Sequence, residues 1–175
     1  MLNNFFRRIN LIQTITIETS ISKEEFEKRL TNVVDRNDFF PFEIYSNRDK
    51  LFVGRLNEDG FKIKPKIKLF DFHKRYLTRC LAKYKTDKLN NLTIYGDVYY
   101  LKHIPILYIM FLILMEIIMW SFTFSSKTDF TVKIGISLFA PAFVLILYII
   151  LRAGVDDSRE FIEAELKKLT KKTEL

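Results

Sequence analysis

Few residues in this chain stand at spacings that could do chemistry. Cys80 and His73 lie seven positions apart, near enough to pair a thiol with a base, but no third group stands by to orient the histidine. Cys80 reads more simply as a small apolar residue inside a strand. Asp71 and His73 could begin a metal site, yet two ligands do not hold a metal. There is no Walker loop, no G-x-S-x-G, no H-E-x-x-H and no dinucleotide fingerprint. Glycine occurs only at Gly54, Gly60, Gly96, Gly135 and Gly154, so a phosphate-cradling loop has no material. The expectation is a chain that is not an enzyme, with no catalytic residue, no metal and no cofactor.

A basic stretch carries the strongest polar signal. Residues 61–88 hold 10 Lys/Arg against 2 acids. Within it Phe61, Ile63, Pro65, Ile67 and Leu69 alternate with Lys62, Lys64, Lys66 and Lys68, which puts the four lysines on one face of a strand. Those lysines, with Lys74, Arg75 and Arg79, are the candidate surface for an anionic lipid or a nucleotide ligand. Phe70, Phe72, Tyr76 and Tyr84 are interleaved and could stack bases, although apolar alternation accounts for them too. The bland reading is a solvated strand face on which lysine blocks edge-to-edge pairing.

The third feature is a carboxylate in an apolar run. Ile104 to Phe124 is 21 residues with Glu116 as its one ionisable member, and Ile134 to Leu151 is 18 uncharged residues. Twenty-one helical residues reach roughly 32 Å, enough for a hydrocarbon core. Two membrane spans are therefore expected, at 103–125 and 134–152, joined by an outer loop at 126–133. Lysine and arginine cluster outside them (Lys83, Lys85, Lys88 and Lys102 before, Arg152, Arg159, Lys167 and Lys168 after), predicting both termini in the cytoplasm. A bacterial inner membrane is the expected location. Residues 1–103 carry 20 Lys/Arg against 13 Asp/Glu and residues 104–175 carry 8 against 8, so the net +7 belongs to the first part. Glu116 at such depth would be protonated or hydrogen-bonded. Pro141 frees the carbonyl of Ser137 in the second run, so Glu116, Ser137 and Pro141 form a candidate site of intramembrane association.

Elements that would position these residues can be read from periodicity. Leu11–Thr19 alternates Ile with Thr, as a strand does. Ser22 and Glu25 make a capping box, with Ile21 and Phe26 as the staple around it, and a helix follows whose apolar stripe is Phe26, Leu30, Val33 and Val34. Leu51–Leu56 and Phe61–Leu69 form a hairpin at Glu58-Asp59-Gly60, where glycine is expected to take a positive φ. Pro65 predicts an edge or bulged strand. Tyr76–Tyr84 and Leu92–Leu101 add two strands. The fold class is thus an α+β cytoplasmic domain at 1–102, an antiparallel sheet with one packed helix, then the transmembrane hairpin. A cytoplasmic amphipathic tail helix at 155–175, capped by Asp157 with Glu160, completes it. Arg7 and Arg8 precede Ile9, Leu11 and Ile12, but Asn10, Gln13, Thr14 and Thr16 interrupt any h-region, so no signal cleavage is expected.

Phe52-x-Gly54, the hairpin, Phe61-x-Ile63, a second hairpin and two apolar runs resemble a family of small uncharacterised bacterial membrane proteins. These have an N-terminal β-rich cytoplasmic domain and two transmembrane helices. Where that family carries Asn-Ser-Phe-x-Pro, this chain has Phe70-Asp71-Phe72-His73-Lys74. The resemblance implies a fold and no activity. The function expected is a membrane-anchored, non-enzymatic binding or scaffold module that associates through its spans. Its expected partners are the lipid bilayer, further copies of itself, an anionic lipid or nucleotide, and an unidentified protein. The alternative is a membrane-disrupting effector of a bacterial defence or toxin system, activated when a ligand clusters the cytoplasmic domain.

Overall fold

Alternation of apolar and polar residues decides which way the longer strands face, and six strands pair into one sheet. They are β1 (Ile12–Thr19), β2 (Val34–Asp35), β3 (Phe52–Asn57), β4 (Gly60–Pro65), β5 (Thr78–Thr86) and β6 (Leu92–Tyr100). The helices are α1 (Leu2–Arg8), α2 (Lys23–Val33), α3 (His103–Ser125) and α4 (Phe130–Thr170). The computed structural model describes residues 2–35, 50–66, 78–87, 91–100, 103–125 and 130–171. The chain divides into two units, Met1–Tyr100 with Gly154–Leu175, and Leu101–Ala153.

In the first unit the strands lie in the order β1-β6-β5-β4-β3-β2. Every pairing is antiparallel except β2 with β3, which is parallel, so the sheet is mixed where an antiparallel one was expected. β2 has two residues and follows α2 directly, too short for any periodicity to reveal it. β1 and β2 are the sheet edges; β4 is interior, contrary to the expectation from Pro65. The proline is tolerated because the β4–β5 register stops at Ile63 and Pro65 pairs only with Phe52 of β3.

One face of the sheet makes the core. Ile15, Ile17, Phe52, Phe61, Ile63, Cys80, Ala82, Ile94 and Val98 are buried there. α2 covers it through Phe26 and Leu30, both fully buried. Phe26, Phe61 and Tyr84 meet as a triad with centroids 5.8–6.2 Å apart, in the range for offset and edge contacts. The last turns of α4 add Val155, Ile162 and Leu166, and Phe161 meets Phe52 at 5.8 Å. Two helices, rather than one, therefore close this face.

Caps and turns hold some surprises. Ser22 Oγ accepts from the Glu25 amide as expected, at 3.2 Å, but the Glu25 carboxylate turns to Arg29 instead of reaching back. Gly60 closes the β3–β4 hairpin, yet no glycine among the described residues has positive φ. A Cβ on Gly60 would lie 2.1 Å from the Ala82 carbonyl oxygen, so close strand approach, not turn geometry, requires glycine there. Asp157 caps nothing, because α4 passes unbroken through Gly154.

In the second unit the expected hairpin of spans is not found: among the described residues no helix is long and apolar enough to cross a membrane. Within α3, Glu116 accepts from Trp120 one turn further on. α4 leads from an apolar segment straight into one bearing Arg152, Asp156, Asp157 and Arg159. The two spans, the inner-membrane location and the cytoplasmic assignment of both termini built on them are corrected accordingly. Leu107, Met110, Ile113, Leu114 and Ile117 of α3 are exposed, as are Leu145, Ile146 and Ile149 of α4.

Candidate functional site

The face of the sheet opposite the helices is where polar side chains gather. Register places Thr14, Asp97, Leu81, Lys62 and Arg55 in one row across five strands. The next row holds Thr16, Tyr95 and Lys83. Along this face Arg55, Lys62, Arg79, Lys83 and Lys85 outnumber Asp97 and Glu18, so it is basic.

A groove of about 430 Å³ opens on this face over β1, β6 and β5. Thr14, Thr16, Leu81, Lys83, Tyr95 and Asp97 line it, with Arg7 of α1 at its side. Arg7 Nη2 donates to Asp97 Oδ2 at 2.5 Å, tying α1 to the middle of the sheet. Asn10, at φ 56°, makes the reversal between α1 and β1 that brings Arg7 there. Lys83 is exposed and, among the described residues, has no hydrogen-bond or ion-pair partner. Tyr95 and Leu81 are 44% and 47% exposed, unusual for large side chains in the middle of a sheet. The walls thus combine a cation, a planar ring, an apolar side chain and two hydroxyls.

Gly96 lies between the two rows. A Cβ there would stand 2.5 Å from the Leu81 carbonyl oxygen and 2.6 Å from the Ala82 Cα, so only glycine lets β5 and β6 close up beneath the groove. Nearby, Tyr99 is half-buried beside Arg79. Burial raises its phenol above the usual range, and the guanidinium of Arg79 opposes that shift.

The candidates from sequence are dispersed. Lys62 is exposed on the open face, in register with Leu81, and Arg79 is partly exposed on the same face. Lys64 and Lys66 are buried, at 9% and 7% exposure, and Lys66 Nζ lies 3.9 Å from Oδ2 of buried Asp35. The lysine stripe is therefore not a continuous surface: Val53, opposite Lys64, is fully buried as well, so the open face is covered at this end. Lys68, Lys74 and Arg75 lie outside the described residues, as do Asp71 and His73. Cys80 is buried and its thiol is pushed up to about 12 by burial, with Asp97 adding to the shift. That thiol is protonated at neutral pH and is no nucleophile.

Glu116 accepts from Trp120 Nε1 one turn along α3, at 3.1 Å, and its Oε2 has no partner among the described residues. Pro141 is exposed inside α4, and Ser137 precedes it by one turn of the same helix. The groove residues Arg7, Thr14, Thr16, Lys83, Tyr95 and Asp97 escaped the sequence reading. Strand parity could have found all but Arg7, which reaches the site only through the turn at Asn10. Comparison with protein-family models, curated proteins and solved structures gives no match. The resemblance to two-helix bacterial membrane proteins rests on order and spacing alone.

Proposed function

We propose that the chain is a non-enzymatic binding module whose groove takes a small anionic ligand with a planar ring, of the nucleotide class. The observation that carries this reading is the pairing of Lys83, which has no side-chain partner among the described residues, with exposed Tyr95 in the same row of the sheet. A phosphate near Lys83 and the flanking basic side chains would gain charge-assisted contacts. A base against Tyr95 would gain a stacking surface, worth about 1–3 kcal/mol in comparable sites. The volume of the groove falls within the range of small-molecule sites.

Among the described residues no three His, Cys, Asp or Glu side chains converge on a metal position, and the one cysteine is buried and protonated. A thermal-shift screen of the full chain tests the reading. Nucleoside monophosphates and cyclic mononucleotides should raise the melting temperature, ribose phosphate should do so less, and free nucleosides least. Equal shifts from ribose phosphate and nucleotide would remove the ring from the account.

A further inference from the structure

The pairing of a cation with an apolar surface in the groove is repeated next to it on the open face. Lys83 of β5 stands opposite Tyr95 of β6. One strand over and two residues along, Lys62 of β4 stands opposite Leu81 of β5. Strand spacing and rise per residue set the two pairs about 8 Å apart. Both lysines are exposed and, among the described residues, neither has a hydrogen-bond or ion-pair partner. Tyr95 and Leu81 beside them are exposed as well. The β4 residue next to Lys83 is Gly60, so no side chain at that position walls the groove off from the second pair. Arg55 of β3, exposed and opposite Lys62, adds a cation beyond it.

We propose that the open face takes a single-stranded oligonucleotide, one nucleotide at Tyr95 and Lys83 and the next at Leu81 and Lys62. This rests on the nucleotide reading of the groove and names a longer ligand for the same site. The repeat is what carries it. A single strand presents a negative phosphate and an apolar base plane at every step, and each pair answers with a cation and an apolar surface. Leu81 offers a base contact without a hydrogen bond, so the second position discriminates little among bases. A nucleoside triphosphate would supply further charge but no second base for Leu81. An anionic bilayer would meet the lysines, but nothing in it repeats at the interval of the two pairs.

Titration calorimetry tests it. The full-length chain would be kept dispersed in mild detergent, since α3 and α4 expose apolar side chains. The ligands are thymidine monophosphate, the thymidine trinucleotide, thymidine triphosphate and vesicles of phosphatidylglycerol. The trinucleotide should bind at least about fivefold tighter than the monophosphate, the low end for one further stacked base. Its affinity should also fall more steeply with salt, by about 0.7 in the logarithmic slope for each added phosphate contact. Lys62→Gln, on an exposed position, should weaken the trinucleotide more than the monophosphate and lower that slope, with an unchanged circular dichroism spectrum. Equal affinity for monophosphate and trinucleotide, or a trinucleotide indifferent to Lys62→Gln, would overturn the proposal and leave the groove reading standing. Binding of neither would overturn both. A triphosphate that matches the trinucleotide would replace the oligonucleotide with a polyphosphate, and binding of the vesicles without the trinucleotide would replace it with a lipid surface; either result overturns the proposal.

Discussion

Arg7, at the end of α1, donates to Oδ2 of Asp97 in the middle of β6, 2.5 Å away and 90 residues further along the chain. The pair lies at the side of the groove, with side chains 52% and 32% exposed. An exposed pair of this kind contributes at most about 1 kcal/mol to stability. Arg7→Ala should therefore lower the unfolding free energy only slightly in a denaturant titration. Its larger effect is on the ligand. Asp97 neutralises Arg7 in the empty groove, so Asp97→Asn should tighten binding of an anion roughly fivefold, the scale of ~1 kcal/mol. A loss of affinity in Asp97→Asn would mean that the carboxylate contacts the ligand itself.

Gly96 and Gly135 give opposite expectations for the same substitution. Gly96→Ala drives a methyl into the backbone of β5, and overpacking of this sort costs about 1–3 kcal/mol. Gly135 lies inside α4 with nothing within 4 Å of the Cβ position, so Gly135→Ala should gain up to about 1 kcal/mol of helix propensity. Chemical denaturation followed by circular dichroism would read both. Equal effects would show that neither site is held as described.

Some of this was legible beforehand. The Ser22 cap, the Phe26 and Leu30 stripe and the β3–β4 hairpin follow from local spacing, because each depends on residues within one turn or one strand. The burial of Lys64 and Lys66 does not. Alternation assigns a residue to a face but does not say whether that face is covered, and Asp35 reaches Lys66 only through a two-residue strand. The apolar runs of α3 and α4 gave helices where helices were expected. Hydropathy could not show that α4 carries its helix through Gly154 into a segment that packs on the sheet. The groove depends on register among β1, β5 and β6 and on one long-range arginine, neither of which is encoded locally.

The terminal part of α4 is a structural element of the sheet domain. Ile162 and Leu166 are fully buried. Leu166→Ala should cost about 2–5 kcal/mol, as large-to-small changes in cores do, whereas Lys168→Ala on the exposed side should cost under about 0.5 kcal/mol. Urea midpoints would separate them. Comparable midpoints would mean that this segment is not part of the domain's core.

Alkaline pH should destabilise the fold from about 9 upward. Cys80 ionises near 9 when unfolded and near 12 when folded, so its stabilising protonation is fully present below 9 and is lost as pH rises toward 12. Tyr84 is shifted upward as well, by burial and then by the charge of Glu27, and adds to the loss above its ordinary 10. Together they can account for a few kcal/mol at about 1.4 kcal/mol per unit. Cys80→Ala should flatten the first part of the decline in unfolding free energy between pH 9 and 10. An identical slope in that variant would assign the decline to other groups.

Equilibrium dialysis of the full chain against a labelled nucleoside monophosphate addresses the central claim most directly. Saturable binding at one site per chain is expected, weakening as salt rises because exposed charges carry part of it. Lys83→Gln and Tyr95→Ala should each reduce it at least about tenfold, corresponding to roughly 1.4 kcal/mol, while Lys28→Gln, exposed on α2 across the sheet from the groove, should not. Absence of saturable binding, or binding indifferent to both Lys83 and Tyr95, would contradict the assignment of the open sheet face as the ligand site.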